Sequence, residues 1–254
     1  MKAVPALVVA WAAVSAAHAD VVTLNPVQDT SIYSGTAASA GLSDGTGDYL
    51  WLSVTAEGLN RRALVKFDLT AVPAGAVVRE VRVSLYQSRS RENHSVSIHR
   101  LTRGWGESSS NAGGAGTGVP AAPGDATWVS TFHPNLPWTV PGGDFVAAAS
   151  ASTFVAFPGE FYTWGTTPAL VGDVQAWIDQ PSANHGWILI GSEAGLQNAK
   201  RFESRNNATA STRPRLQVIY DPPALAGEGD IPVPPWALIV LAGAMAIRMV
   251  SRPA

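Results

Sequence analysis

Between residues 20 and 222 apolar side chains recur at every second position in one segment after another. That period constrains the fold more than any other feature. In residues 61–69, Ala63, Val65, Phe67 and Leu69 alternate with Arg62, Leu64, Lys66 and Asp68. Val81, Val83 and Leu85 alternate with Arg82, Ser84 and Tyr86, and Leu216, Val218 and Tyr220 with Arg215 and Gln217. A period of two is the mark of a strand that buries one face. Further strands are expected over residues 21–24, 30–33, 49–54, 95–101, 127–131, 152–157 and 161–164. The continuous apolar run Trp187–Ile190 suits a central strand. Turn residues separate these segments, among them Pro73-Ala74-Gly75 and Pro141-Gly142-Gly143-Asp144. Short strands at near-regular spacing predict an all-β domain, a jelly-roll-like β-sandwich. The chain has no Cys, so such a core must stand without disulfides or thiolate metal sites.

One segment departs from the period. Thr167 is placed to cap a helix that starts at Pro168, which puts Leu170, Val171, Val174, Trp177 and Ile178 on one stripe, with Pro181 just past the end. A single short helix closing one end of the sandwich is the expected placement. Residues 103–126, rich in Gly, Ser and Ala and bracketed by Trp105 and Trp128, are too long for a hairpin loop. They read either as a loop over a binding face or as a tolerated insertion.

The ends stand apart from this domain. Residues 1–19 read as a signal peptide, with Lys2 before an apolar stretch and Ala17-His18-Ala19 before a cut at Asp20. A Pro/Gly-rich linker is expected over 223–235. A short, separate C-terminal apolar helix is expected over 236–254, with Arg248 and Arg252 at its basic end. The run Trp236 to Ile247 spans about 18 Å as a helix, short of a ~30 Å hydrocarbon core. Export, with transient membrane anchoring at the cell surface, is the expected address.

Charged residues make up 14% of the chain and the net charge is −2, which supplies no basic face for nucleic acid. No nucleophile elbow, zinc-protease helix or phosphate loop is found, so no catalytic residue is assigned and the chain reads as non-enzymatic. His94 and His99 lie at an odd spacing on one strand, which sends them to opposite faces. No cofactor is required. Calcium is the one ion left open, with Asp29, Asp44 and Asp48 as its loop-borne oxygen donors. Trp105, Trp128 and Trp138 lie in or beside Gly/Pro-rich loops, where an indole can stack on a sugar ring or fold back as a lid. Arg62, Arg82 and Arg205 are candidate partners for uronate carboxylates.

An ordered series of motifs resembles the DNRLRE domain, related to carbohydrate-binding module family 96. It runs from Arg61-Arg62-Ala63-Leu64-Val65-Lys66-Phe67-Asp68-Leu69 through Trp105 with Glu107 and Asp125-Ala126-Thr127-Trp128. It continues through Val174-Gln175-Ala176-Trp177 to Phe202-Glu203-Ser204-Arg205 and Arg213-Pro214. The resemblance implies a jelly-roll sandwich on secreted or surface proteins, some members of which bind acidic polysaccharide such as alginate. The family pattern has an acidic residue after the Ser-Arg pair, where this chain has Asn206, so a site built on that carboxylate is weakened here. The tail, with Ile231-Pro232-Val233-Pro234-Pro235-Trp236 before the apolar run, resembles PEP-CTERM and IPTL-CTERM sorting signals, which implies a membrane sorting enzyme as partner. The resulting expectation is a surface-sorted, non-catalytic polysaccharide-binding module. The alternatives are a structural or adhesive matrix protein whose aromatics are all core and, third, a polysaccharide lyase or hydrolase.

Overall fold

The alternating segments pair with one another, and all of the strand pairings are antiparallel. The computed structural model describes residues 18–36 and 39–223. Residues 1–17 of the expected signal peptide, and residues 224–254 of the expected linker and tail, lie outside the described residues. No helix among the described residues is long and apolar enough to cross a membrane.

The first strands are β1 (Asp20–Leu24), β2 (Pro26–Tyr33), β3 (Leu42–Ser43), β4 (Tyr49–Val54), β5 (Asn60–Phe67), β6 (Val77–Ser90) and β7 (His94–Arg100). Then come β8 (Val119–Pro120), β9 (Ser130–Phe132), β10 (Leu136–Pro137), β11 (Ala151–Val155) and β12 (Glu160–Gly165). The helix α1 (Pro168–Asp179) precedes β13 (Trp187–Ile190), β14 (Lys200–Glu203) and β15 (Arg215–Asp221). Eleven strands form one curled sheet in the order β1-β15-β6-β14-β4-β5-β13-β7-β11, with β12 on β6 and β2 on β5.

The curl makes two halves. In the first, Arg82–Ser84 of β6 pair with both β12 and β15, so those strands occupy opposite edges of β6, and β14 continues along the β15 edge. In the second, Ala63, Leu64 and Val65 of β5 lie between β2 and β13. Strand β4 joins the halves: Leu50–Leu52 pair with β14, then Ser53 and Val54 pair with β5. At the change of partner Ser53 has φ +71°, an unusual backbone state for a non-glycine residue, and it is fully buried. Its carbonyl and hydroxyl are both used, by Arg61 Nε and His94 respectively.

Val81, Val83 and Leu85 of β6, Phe202 of β14, and Leu216 and Val218 of β15 meet Ala63, Val65, Ile98, Trp187 and Leu189 in one core. The helix closes this core as expected. Thr167 accepts the Leu170 N–H through its hydroxyl, and Leu170, Val174, Trp177 and Ile178 are buried. Asp173 ties the helix to the sheet, accepting the Trp187 indole N–H at 2.9 Å and the Ser150 hydroxyl at 2.5 Å.

Two sequence expectations change. The strand expected over 127–131 starts only at Ser130, because the Thr127 hydroxyl accepts the N–H of Val129 and Ser130 and closes a tight turn. Strand β14 was not expected, since Lys200-Arg201-Phe202-Glu203 reads as polar. Lys200 nevertheless points inward beside Phe202, fully buried, and its ammonium donates to Ser90 Oγ, the Glu92 carbonyl and the Val155 carbonyl. That satisfies all three of its donors.

Gly186 sets the entry of β13 beside β5. Its φ is +77°, and a Cβ there would lie 2.2 Å from the Val65 carbonyl oxygen, a main-chain atom that cannot swing away. Gly186→Ala is therefore expected to cost more than about 2 kcal/mol of stability, read from the denaturant midpoint.

Candidate functional site

The second half is buried on both faces. Ala63, Val65, Trp187 and Leu189 face the main core, while Leu64, Ile188 and Ile32 face away from it. Those outward side chains are covered by Leu101, Trp105, Ala126 and Trp138, which form a second core with them. The Gly/Ser/Ala stretch from 103 onward is thus the covering layer of this half. Trp105 is 3% exposed and donates its indole N–H to the His185 carbonyl at 2.9 Å; Trp138 is 4% exposed and donates to the Thr127 carbonyl at 2.8 Å. Neither presents a ring face to a sugar, which corrects the sequence expectation for both. An apolar sheet face with no other cover drew them in.

Trp128 stays half-buried, and Arg62 is brought onto it, with the guanidinium carbon 4.8 Å from the ring centroid. Arg62 is spent within the protein: it binds Glu193 through two bonds of 2.7 and 2.8 Å and the Gly142 carbonyl at 2.8 Å. Arg82 pairs with Glu80 at 2.5 Å. Arg205 pairs with Glu107 and gives its main-chain N–H to Asp29 at 2.7 Å. The three arginines singled out from the sequence therefore all have carboxylate partners, and they lie in different parts of the fold.

Of the acidic trio, Asp29 and Asp44 are buried and Asp48 is exposed. Among the described residues no three His, Cys, Asp or Glu side chains converge as a metal-binding group, so the trio is not a ligand set by itself. Burial pushes the Asp29 carboxyl up to about 8 against the lowering effect of the Arg205 N–H, and pushes Asp44 up to about 6.

Among the described residues, the outer face of the first half has no covering layer comparable to residues 101–147. Its strands keep the half-buried alternation: β6 reads outward through Arg82, Ser84 and Tyr86, and β15 through Arg215 and Gln217. A bulge near Ser88 then re-phases β6, because Phe202 pairs with Gln87 while Arg201 pairs with Arg89. The shift puts Arg89, Arg201 and Trp51 in one row across β6, β14 and β4. Arg201 lies 3.8 Å from the Tyr49 ring centroid and 5.7 Å from that of Trp51, and Arg61 lies 5.2 Å from Trp51.

A groove of about 440 Å³ opens here, lined by Trp51, Arg61, Arg89, Arg91, Thr117 and Gln197 among others. Arg61 forms its floor, 4% exposed, and donates to the Gly116 carbonyl at 2.8 Å. Among the described residues none of Arg61, Arg89, Arg91 and Arg201 takes part in an ion pair. Glu57, exposed at the groove, and Glu203 act on Arg61 and Arg201 at longer range. Burial lowers the affinity of Arg61 for its proton. A second cation–aromatic cluster lies on the same face, where Tyr86 and Phe161 meet edge-on at 5.3 Å and Arg215 sits 4.1 Å above Phe161. Sequence reasoning passed over this groove because Arg89 and Arg91 stand in a segment far along the chain from Arg201 and from Trp51 and Arg61. The cross-strand register that joins them leaves no local motif.

Ser53 and His94 are the pair that most resembles catalytic machinery, with Oγ and Nε2 3.0 Å apart. Ser53 is fully buried, and among the described residues no carboxylate bonds the far nitrogen of His94 where a triad would place one.

Residues 20–112 match the family model of carbohydrate-binding module family 96. The matched segment contains Tyr49, Trp51, Arg61, Arg89 and Arg91. A search of curated proteins found no match to the chain.

Two outcomes follow from these placements. Trp105→Ala and Trp138→Ala are each expected to lose about 3–5 kcal/mol of stability in chemical denaturation, as buried aromatics do. The second concerns His94, whose imidazole burial, with the Lys200 ammonium nearby, pushes down to about 4 from the ordinary 6.5. Between those values the unfolded chain binds a proton that the folded one refuses, so this residue makes stability fall as pH drops from about 6.5 to 4. Relative to wild type, His94→Gln removes on the order of 1 kcal/mol of that fall once solvent screening of the half-buried ring is allowed for. Denaturation midpoints at a series of pH values measure the difference.

Proposed function

We propose, for a chain whose residues 20–112 match the family model of carbohydrate-binding module family 96, that it binds an acidic polysaccharide without catalysis in the groove over Trp51. The observation that carries this reading is a set of arginines with no ion pair among the described residues: Arg89 and Arg91, exposed at the groove, Arg201 beside Trp51, and the buried Arg61 as the groove floor. A guanidinium grips a carboxylate with two parallel hydrogen bonds, and successive uronates along a polymer present carboxylates at repeating intervals. Trp51 and Tyr49 hold Arg61 and Arg201 by their ring faces, which reduces the side-chain entropy lost when a ligand docks. The Tyr86–Phe161–Arg215 cluster extends the same face for a longer chain. In this reading the protein is exported and works at the cell surface, where a module of this kind attaches the cell to exopolysaccharide.

A second reading has one observation in its favour. The burial of Trp105 and Trp138 is what a structural or adhesive matrix protein without a sugar site requires.

Titration calorimetry with alginate and with a neutral glucan separates the two. Alginate is expected to bind, with affinity falling as salt rises, and the neutral glucan to bind at least tenfold more weakly. Arg89→Ala, Arg91→Ala and Arg201→Ala are each expected to weaken alginate binding about tenfold, or ~1.4 kcal/mol, while Arg82→Ala leaves it unchanged. Equal binding of both polymers, or no effect of the three groove variants, overturns the assignment.

A further inference from the structure

A buried lysine stands behind the arginine groove. Lys200 opens β14, pairs with Ser90 of β6 and Leu52 of β4, and is fully buried. The residues on either side of it reach the groove: Ala199 lines the wall and Arg201 lies beside Trp51. The Lys200 ammonium donates to Ser90 Oγ at 3.0 Å, the Glu92 carbonyl at 2.6 Å and the Val155 carbonyl at 2.9 Å. Residues 90 and 92 flank Arg91, which lines the groove and gives its own main-chain N–H to the Ala199 carbonyl at 3.2 Å. One ammonium thus holds the β6–β7 turn on both sides of Arg91.

Removing one proton changes that hold in a countable way. The ammonium has three hydrogens for three acceptors. A neutral amine has two, so one of the three bonds is lost and the others lose their charge assistance. The elements packed around Lys200 set how readily this happens. From β7 comes the His94 imidazole, which disfavours a second positive charge, and from the turn the exposed Glu92, whose carboxylate favours the charged lysine. Strand β4 brings Leu52 and β11 the Val155 carbonyl, neither of which titrates. Burial outweighs Glu92 and brings the lysine down to about 8 from its ordinary 10.5.

We propose that Lys200 is a positioning residue of the groove: its charged form fixes Arg91 for an acidic polysaccharide, and loss of that charge releases the turn, so binding weakens as the solution turns alkaline. This rests on the glycan reading of the groove. A guanidinium already held in place loses less side-chain entropy when a carboxylate docks on it. Linkage makes the effect reciprocal, so a bound polymer that needs the charged lysine also holds the proton on it.

Titration calorimetry of the full-length protein with alginate, at constant ionic strength from about pH 7 to about pH 9, reads this directly, because uronate carboxylates keep their charge across that range. Wild-type Kd is expected to rise about fivefold between the two ends. Lys200→Met is expected to bind about fivefold more weakly than wild type at neutral pH, with no further change as pH rises. Lys66→Met, at a lysine that lines a different cavity beside Trp177, is expected to keep the wild-type profile. Carbon-13 NMR of the lysine side chains is expected to place the Lys200 titration in the same range and to move it upward when alginate saturates the protein. Alginate binding with a flat pH profile, or a pH profile that survives in Lys200→Met, overturns the role of Lys200 and leaves the glycan reading standing. No alginate binding at neutral pH overturns the glycan reading, and the role of Lys200 with it. If Lys200→Met does not fold, the wild-type measurements decide: a constant affinity, or a midpoint that departs from the Lys200 titration, is the overturning result.

Discussion

Burial of β5 and β13 on both faces is the constraint from which the rest of this structure follows. Strands that carry Leu64 and Ile188 outward as well as Val65 and Trp187 inward cannot face water on either side. The outward row must be roofed, and residues 101–147 supply the roof with Leu101, Trp105, Ala126 and Trp138. The main chain of that roof lies among apolar side chains, so its polar groups are paired: Gly106 donates to the Thr131 carbonyl and Ala126 donates back to the Gly106 carbonyl. The roof takes up the loop indoles, and with them the aromatic platform that the loops had promised.

The roof also sets an asymmetry of charge and access. Arg62, Arg100, Arg103 and Arg205, on the roofed half or at its margins, are drawn into ion pairs with Glu193, Asp173, Asp144 and Glu107. On the open half the pairs at Arg79 and Arg82 involve Asp221 and Glu80, toward the other end of β6 from Arg89. Arg61 and Arg201, next to Trp51, are held by ring faces and, for Arg61, by carbonyl oxygens instead, which position the guanidinium without an ion pair among the described residues. A chain with a net charge of −2 thus gathers local positive potential on one face.

Legibility followed the range of the interaction. The Thr167 cap, the Leu170–Ile178 stripe and the Trp187–Ile190 strand were readable because the deciding contacts lie within a few residues or one period. Lys200-Arg201-Phe202-Glu203 was not, because an inward lysine breaks the apolar alternation. What permits it is three oxygen acceptors from residues 90, 92 and 155. The candidate site suffered the same limit. Trp128 and Arg62 do meet, while Trp105, Trp138, Arg82 and Arg205 go to separate tasks that no local pattern announces.

The sequence by itself determined that the chain builds antiparallel strands around one helix, since period-two alternation, turn residues and a helix cap act locally along the backbone. Only the tertiary structure decided which face of which strands the roof covers and which arginines are drawn into ion pairs. Both depend on cross-strand register and on where a long connection comes to rest. A shift of one residue at the Ser88 bulge turns Arg89 from one face to the other, and nothing in the neighbouring residues records that outcome.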